Sequence, residues 1–513
     1  MKLAASMLCP SAQTPKTPHS SFILSYTASY PMAAAQYNDR DLKKLLAAFA
    51  FLLALLAAAY GLGSLRWRPA FRAGSLQLES VARGAGPLLA GAAVVPLSPP
   101  RAVPVAGYPR LKWMEEGRRD PIAVRALALR EPGCTVVLVS AEILLVPGQL
   151  ERAVEQRVGD LGLDHLVIAA THTHAGPGGF WKDALGERLA TGPYDAVVFD
   201  HLVAQTEAAI RGAVKALEPA YFSVATTTTS ELARNRAGGA EVDGHLVALR
   251  LTALAGHEVA RVVLYPAHAT LLGLENHLVS GDWPGALMRG QPAPLLFFQG
   301  ALGDQTTRLP PRTPAQPEAY ARALRTHVDA LELSTPDPWP ALAVATATAV
   351  LPPADLGASP PALRRITHNL LYDWLPDRAR LTAIRLGPLT LVAVPGEPVA
   401  EVGRRWREAA GAGAEMLSLA GDYLGYVETS ERMAEASGET VRTYYGPELA
   451  DRLAGAVRLA AQAVRDPAPP EAPAVEPAPA PPQAPAAASR PAVPTASAVQ
   501  KRTTGAPASS QER

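Results

Sequence analysis

Cysteine is scarce in this chain, whose 513 residues include only Cys9 and Cys134. Cys9 lies in an irregular N-terminal segment, so a structural disulfide is not expected. Two cysteines also cannot build the thiolate-rich cage of a structural zinc site. The sequence therefore excludes a disulfide-stapled scaffold and a cysteine-based zinc site.

An excess of charge of one sign is missing as well. Lys and Arg together number 48, Asp and Glu number 47, and the formal net charge is +1. No long basic block occurs, so no nucleic-acid partner is predicted. The length would suffice for two or three average domains, but both ends look non-globular. We therefore predict that residues 76–465 bury a sizeable core as a single large domain or as two close ones.

Charged residues are absent from residues 45–65, an apolar run of the roughly 20 residues that a membrane-spanning helix needs. Two interpretations stay open for the segment 44–65: an uncleaved signal anchor, or a secretory signal peptide cut near Ala57-Ala58-Ala59. We favour the anchor. The anchor predicts membrane contact through residues 45–65 and a large domain outside the cytoplasm, periplasmic or extracellular, whereas cleavage predicts secretion. Residues 1–43 form an N-terminal segment in which Met32 is a candidate true start.

The composition changes again near residue 466, after which Pro, Ala and Ser dominate. Such a segment buries too little apolar surface to fold, so 466–513 is predicted to be a disordered tail. Between the two ends, short apolar runs alternate with amphipathic stretches. This alternation predicts an α/β fold with a layered mixed sheet flanked by helices and a more β-rich middle segment around 220–254. Strands are predicted at 135–140, 165–170, 261–265, 294–298, 389–394 and 416–420, and helices at 148–159, 195–217, 317–331, 398–410 and 447–464.

The most informative stretch is ATHTHAGPGG, residues 170–179, which puts two histidines directly after a predicted strand. In open α/β sheets, ligands bind beyond the carboxyl ends of the strands. Polar side chains follow five predicted strands in this way: His172 and His174, then His268, then Asp304, then Glu397, and finally Asp422, Tyr423 and Tyr426. His, Asp, Glu and Tyr supply nitrogen and oxygen donors of the kind that bind zinc.

Each of these side chains also has an ordinary structural explanation. His268 alone is typical of a core or turn histidine, and Asp304 after a glycine is typical of a turn. Glu397 suits the first turn of a helix, where the helix dipole favours a carboxylate. Taken singly, only the His-x-His pair favours a metal. The metal hypothesis therefore depends on all five strand ends meeting at one rim.

Motifs along the middle region resemble a known family. In order, they are GAAVVPLSPPRAVPVAGY, DPIAVRALAL, ATHTHAGPGG, RNRA, YPAHAT, SGDWPG, FFQGALGDQ, VPGEP, GYVET and YYGPEL. This series resembles the catalytic N-terminal domain of the neutral/alkaline non-lysosomal ceramidases. The resemblance implies a Zn2+-dependent hydrolase of linear amide bonds that uses zinc-activated water, on an N-acyl lipid such as ceramide or a ceramide-like compound.

The resemblance also implies roles for individual residues. Its metal ligands correspond to His172, His268, Glu397 and Tyr426. His174 would lie beside the metal and assist proton transfer or substrate binding. Arg236 of the RNRA motif would hold the polar head of the substrate and stabilise the oxyanion. Asp304 and Thr306 of the GDQT sequence complete the predicted catalytic group.

The chain departs from the family pattern at three places. Thr306 stands where a serine is typical, and Gly438 stands where the family has a tyrosine. The full-length ceramidases continue into an immunoglobulin-like domain, whereas residues after 466 read as a Pro/Ala-rich tail. Two alternatives therefore stay open: a zinc esterase or amidase acting on a non-lipid envelope or small-molecule substrate, and a non-catalytic ceramidase-like envelope protein.

Overall fold

The computed structural model describes residues 39–65, 76–239, 241–308, 315–357, 367–368 and 375–466. By its contacts the chain divides into one unit at Met1–Val464 and a second at Arg465–Arg513. Met32 and the rest of 1–38 lie outside the described residues, as does the predicted disordered tail from 467 onward. The predicted domain boundaries therefore stay predictions.

The helices and strands of the described residues have the following bounds. The helices are α1 Asp39–Leu65, α2 Gly148–Val158, α3 Ala184–Gly186, α4 Ala196–Lys215, α5 Asp282–Met288, α6 Gln316–Asp329, α7 Ala400–Ala410, α8 Ser430–Ala434 and α9 Leu449–Arg465. The strands are β1 Leu76–Arg83, β2 Leu89–Pro96, β3 Gly117–Arg118, β4 Ala123–Glu131, β5 Cys134–Ala141, β6 His165–Ala170, β7 Glu218–Thr228, β8 Ala233–Asn235, β9 His245–Ala253, β10 Glu258–Leu264, β11 Leu278–Val279, β12 Leu295–Phe298, β13 Gln305–Thr307, β14 Ala343–Val350, β15 Arg378–Leu386, β16 Leu389–Ala393, β17 Glu397–Pro398, β18 Ala414–Leu417 and β19 Tyr426–Val427.

The longer strands form two mixed sheets. The first has eight strands in the order β12-β10-β9-β7-β2-β4-β5-β6, and the second has five in the order β1-β14-β15-β16-β18. Three neighbouring pairs are parallel: β5 with β6, β10 with β12, and β16 with β18. The remaining neighbours in both sheets are antiparallel. The predicted α/β fold with a mixed sheet flanked by helices is confirmed.

The core lies in layers on both sides of each sheet. Between the sheets, Leu127 and Phe222 of the first sheet join a cluster with Ile384 and Leu391 of the second. Helices cover the outer faces: α2, α4, α5 and α6 pack on the first sheet, and α7 and α9 on the second. Strands covered on both faces read as continuous apolar runs, whether a sheet or a helix supplies the cover. This is why the sequence pattern predicts layering but not the number of sheets.

Amphipathic spacing explains the helices that cover the sheets. In α9 the buried residues Leu449, Leu453, Val457 and Val464 recur four or seven positions apart, so they share one face of the helix. At the start of α4, the Asp195 carboxylate accepts a hydrogen bond from the backbone N–H of Val197. This cap satisfies one of the free donors at the helix end.

One predicted strand ends earlier than expected, with a consequence for the site. The run 416–420 forms β18 only up to Leu417, and Ala420 then bridges Ala169 at the end of β6. Residues that follow the second sheet are thereby joined to the carboxyl end of a strand in the first sheet. The loops that continue from both sheets therefore meet at one edge.

Helix α1 contains the apolar run that was predicted to span a membrane. The side chains of residues 42–58 of this helix are exposed. Among the residues that the structure describes, no helix combines the length and apolarity required to cross a bilayer. The predicted membrane-spanning segment 44–65 is therefore not supported, and the location of the catalytic domain stays a prediction.

Candidate metal centre

The predicted donor residues lie on loops at the carboxyl ends of strands from both sheets. His172 and His174 follow β6, and His268 follows β10. Thr173 bridges Ala269, which ties these two loops together. Glu397 follows β16 of the second sheet, and Tyr426 follows β18. They start β17 and β19, which form a separate two-stranded sheet in which the two residues are parallel partners.

Four of the predicted side chains converge on one point. Nε2 of His172 lies 3.3 Å from Oε2 of Glu397, and Nε2 of His268 lies 3.0 Å from the same oxygen. The Tyr426 hydroxyl is 3.0 Å from Nε2 of His268. All four residues are buried. His172 also has φ of 65°, a left-handed conformation that is uncommon for residues other than glycine and is often found at functional sites.

Backbone carbonyls orient both histidine rings. Nδ1 of His172 lies 2.8 Å from the carbonyl oxygen of Leu144, and Nδ1 of His268 lies 2.9 Å from that of Gln305. A ring that donates from Nδ1 keeps its lone pair on Nε2, which is the tautomer that binds a metal. Burial, followed by the nearby charge of Arg236, lowers the pKa of His268 to about 3, so its ring is neutral at neutral pH.

The carboxylate of Glu397 shows why a cation fits here. Oε2 is buried and accepts no hydrogen bond from any described residue, although it faces the two Nε2 atoms. A buried carboxylate oxygen that faces two lone pairs is unfavourable without a positive charge between them. Donors bound about 2.1 Å from a tetrahedral ion lie about 3.3 Å apart, close to the spacing seen here. The side chains therefore fit a zinc-type ion.

His174 is close enough to belong to the same cluster. Its Nε2 lies 3.2 Å from Nε2 of His172, and the ring nitrogens of His172, His174 and His268 form a group that could hold a metal ion. Burial, followed by the other two histidines, lowers the pKa of His174 well below its ordinary value. Its Nδ1 is buried and has no partner among the described residues. His174 is therefore a neutral imidazole with one free ring nitrogen beside the centre.

Arg236 brings a positive charge to the edge of the cluster. Its Nη2 donates to the Tyr426 hydroxyl at 2.8 Å and to the Gly303 carbonyl at 3.0 Å, and its Nε donates to Glu439 at 2.9 Å. Burial lowers the pKa of Arg236, but Tyr426, Glu439 and Glu397 outweigh burial and raise it above its ordinary value. The guanidinium is therefore held rigidly, and charged, against the tyrosine.

Asp304 and Thr306 lie near the centre without joining it. The Asp304 carboxylate accepts hydrogen bonds from the backbone N–H of Ala400 at 2.8 Å and from the side-chain amide of Asn235 at 2.5 Å. It thereby fastens the RNRA loop to the start of α7. Thr306 is buried in β13, where it forms a bridge with His268.

Tyr423 contacts Glu397, a predicted metal ligand for which the sequence predicted no hydrogen-bond partner. The Tyr423 hydroxyl donates to Oε1 of Glu397 at 2.8 Å. Tyr423 is one of three polar residues that follow the predicted strand 416–420. Spacing alone does not show which of the three contacts Glu397. Glu439, which holds Arg236, follows no predicted strand, so the sequence carried no signal for it.

Trp283 of the SGDWPG motif also supports the site from outside. Its indole N–H donates to the carbonyl of His268 at 3.2 Å. In the same motif, the Ser280 carbonyl accepts from the Thr173 hydroxyl at 2.8 Å. The motif therefore braces both histidine loops.

The fold and the cluster together define a layered α/β protein with a buried centre of nitrogen and oxygen donors at its strand ends. Residues 98–288 match the family model described as neutral/alkaline non-lysosomal ceramidase, N-terminal. The match covers about a third of the chain, and it agrees with the family that the motifs predict.

Similar sequences and folds agree with this assignment. Neutral ceramidase of Drosophila pseudoobscura pseudoobscura is 26% identical over 204 residues, which are 36% of this chain and 29% of that protein. Neutral ceramidase A of Dictyostelium discoideum is 29% identical over 136 residues, 24% of this chain and 19% of that protein. The chain thus matches less than a third of the length of either relative. The crystal structure of neutral ceramidase from Pseudomonas aeruginosa has the same fold, with a TM-score of 0.66 at 20% identity over 74% of both chains.

Proposed function

We propose that this chain is a zinc-dependent hydrolase of N-acyl lipid amides, with the ion held by His172, His268, Glu397 and Tyr426. The observation that carries the proposal is the donor-free Oε2 of Glu397, which faces the Nε2 lone pairs of two histidines at 3.0 and 3.3 Å. Zinc bound there would act as a Lewis acid toward water and toward the carbonyl oxygen of the amide.

Arg236 has the position to stabilise negative charge that develops on the carbonyl oxygen. A rigid hydrogen-bond donor in a water-poor site stabilises a developing negative charge far more than a donor in bulk water does, because it need not reorganise during the reaction. Hydrogen bonds to Glu439 and Gly303 hold the guanidinium in place. We propose that this preorganised charge serves as the electrostatic part of the mechanism.

His174 is the proposed proton carrier. Its ring is neutral and its Nδ1 has no described partner, so this nitrogen can accept a proton from water and return it to the leaving amine. Thr306 borders His268, and we propose that its hydroxyl contacts the substrate where the family has a serine. Asp304 then acts as a positioning residue, since its carboxylate is occupied by Ala400 and Asn235.

The substrate class rests on the relatives. The matching sequences are named neutral ceramidases, and one structural neighbour is described as a ceramidase complexed with C2. We therefore propose a ceramide-type amide, in which a long-chain amine is released from a fatty acid.

Metal analysis of three matched alanine variants tests the donor set. His172→Ala should lose stoichiometric zinc and all hydrolysis of N-acyl lipids. His174→Ala should keep its zinc, while hydrolysis falls by about 10²- to 10⁴-fold, the usual contribution of a general acid–base group. His257→Ala is the control, because that side chain is 57% exposed on the surface.

The outcomes separate the proposals. Loss of zinc from the His174 variant would favour the three-histidine donor set. Zinc-free wild type, or full activity after chelation, would contradict a zinc enzyme altogether. Wild type that cleaves simple esters but none of a panel of N-acyl lipids would favour the esterase alternative, and zinc binding without any hydrolysis would favour a non-catalytic protein.

A further inference from the structure

Arg110 is a buried arginine whose hydrogen bonds are incomplete. The residue is only 9% exposed, and its Nη1 donates to the carbonyl of Leu274. Its Nε and Nη2 are also buried, yet neither has a hydrogen-bond partner among the described residues. Buried donors are almost always satisfied, and donors on a charged group are the most costly to leave unpaired. The unpaired atoms therefore call for an explanation.

The two unpaired atoms form one edge of the guanidinium. Nε–H and the neighbouring Nη2–H point in the same direction, which is the geometry that grips two oxygens of a carboxylate or a phosphate. No carboxylate of the described residues lies within ion-pair distance of Arg110, and Glu275 is the acidic group that acts on it from further away. Its basic neighbour Lys112 is paired with Glu116 at 2.6 Å, so that lysine's charge is already balanced. The chemistry of this edge therefore suits an anion with two oxygens.

Ring contacts connect Arg110 to the metal centre. Its guanidinium carbon lies 5.5 Å from the ring centre of Tyr108, and that ring lies 4.9 Å from the ring of His174. Gly107 closes the loop onto the same histidine, since a Cβ at this position would approach the Cα of His174 to 2.5 Å. Tyr108 therefore lies against both the Arg110 guanidinium and the His174 ring of the centre.

We propose that Arg110 binds an anionic group, a carboxylate or a phosphate, carried by the ligand of the metal centre. The Nε–H and Nη2–H groups donate to two oxygens of that anion, while Nη1 stays on the Leu274 carbonyl. Among the ceramide-type amides proposed above, Arg110 then favours substrates or products that carry a carboxylate or a phosphate over neutral ones. As a statement about substrates the proposal rests on the proposed function, whereas anion binding itself does not.

Binding measurements by calorimetry test the anion site without any turnover. Octanoate is the carboxylate probe, inorganic phosphate is the phosphate probe, and octanol is the neutral control. We expect at least one anion to bind to the zinc-loaded wild type, and octanol to bind about tenfold more weakly or not at all. Arg110→Lys keeps the charge but loses the two-donor edge, so it should weaken anion binding by about tenfold, and Arg110→Gln should weaken it further.

The matched control is Arg118→Lys. Arg118 belongs to the same region, but its Nη2 already donates to the Pro99 carbonyl at 2.8 Å, and its side chain is 40% exposed. This variant should bind the probes as wild type does. Thermal melting of each variant shows whether it is folded. If Arg110→Gln is not folded, Arg110→Lys still tests the proposal.

The same variants test selectivity between substrates. On N-acyl substrates matched with and without a carboxylate or phosphate, wild type should show the higher kcat/KM for the anionic member. Arg110→Lys should reduce that preference about tenfold. Unchanged anion affinity and unchanged selectivity in folded Arg110→Lys would overturn the proposal even if the enzyme is active. Arg110-dependent anion binding by a protein that hydrolyses nothing would instead leave this proposal standing and reject the amidase.

Discussion

Replacing Tyr423 with phenylalanine should weaken zinc binding while leaving every proposed ligand in place. The Tyr423 hydroxyl donates to Oε1 of Glu397 at 2.8 Å, and the carboxylate is buried. This bond holds Oε1 on the tyrosine, so that Oε2 faces His172 and His268. A hydrogen bond to a buried charged group is worth about 1.5 to 3 kcal/mol. Loss of such a supporting contact typically costs about 10- to 100-fold in metal affinity.

The assay is competition for zinc against a chelator of known affinity, with thermal melting of the metal-free protein alongside. Tyr320→Phe is the matched control, since its hydroxyl is also buried but donates to the Leu232 carbonyl at 2.9 Å. The control should lower stability by about 1 kcal/mol and leave zinc affinity unchanged. A zinc dissociation constant for Tyr423→Phe within twofold of wild type would refute the reasoning, because Glu397 would then be oriented for the metal without the Tyr423 hydroxyl.

Two further predictions concern the supports of the centre. Gly107→Ala should displace His174 and lower both activity and stability, because the new Cβ would lie 2.5 Å from the His174 Cα and the residue has φ of +111°. Gly256→Ala is the control, since Gly256 has φ of +95° but no atom within 4 Å of the new Cβ. The control should lose only the free energy of backbone strain, about 1 to 3 kcal/mol. Equal loss of activity in both variants would contradict the steric argument. Burial raises the pKa of Asp282 from 3.8 to about 6. The contribution of Asp282 to the unfolding free energy is therefore complete below pH 3.8 and is lost as pH rises through 6. The loss amounts to about 3 kcal/mol. The unfolding free energy of wild type, measured relative to Asp282→Asn, should fall by this amount over that range. A pH-independent difference in chemical denaturation would contradict it.

Several elements of the fold were predictable because their signals are local. The prediction of β6 at 165–170 matches the observed strand residue for residue, and the predicted helix 148–159 differs from α2 by one residue. Continuous apolar runs and amphipathic spacing depend only on neighbouring residues, so one sequence suffices to detect them. The strand predicted at 416–420 ended early because Ala420 bridges Ala169, a contact between residues far apart in the chain.

By itself the sequence determined which chemical groups stand at the strand ends. The His-x-His pair, His268, Glu397 and Tyr426 were readable because each directly follows or borders an apolar run. The motif order also sufficed to predict the family, which the match over residues 98–288 confirms.

Only the tertiary structure decided which of those groups meet. The packing of two sheets brings Glu397 and Tyr426, which follow strands of one sheet, to the histidines that follow strands of the other. Asp304 instead binds the start of α7. The contacts of Tyr423 with Glu397 and of Glu439 with Arg236, and the unpaired edge of Arg110, are seen only in the tertiary structure. The physical reason is that the role of a hydrogen-bond donor or acceptor depends on which partners lie near it once it is buried. Those partners are set by contacts between distant parts of the chain.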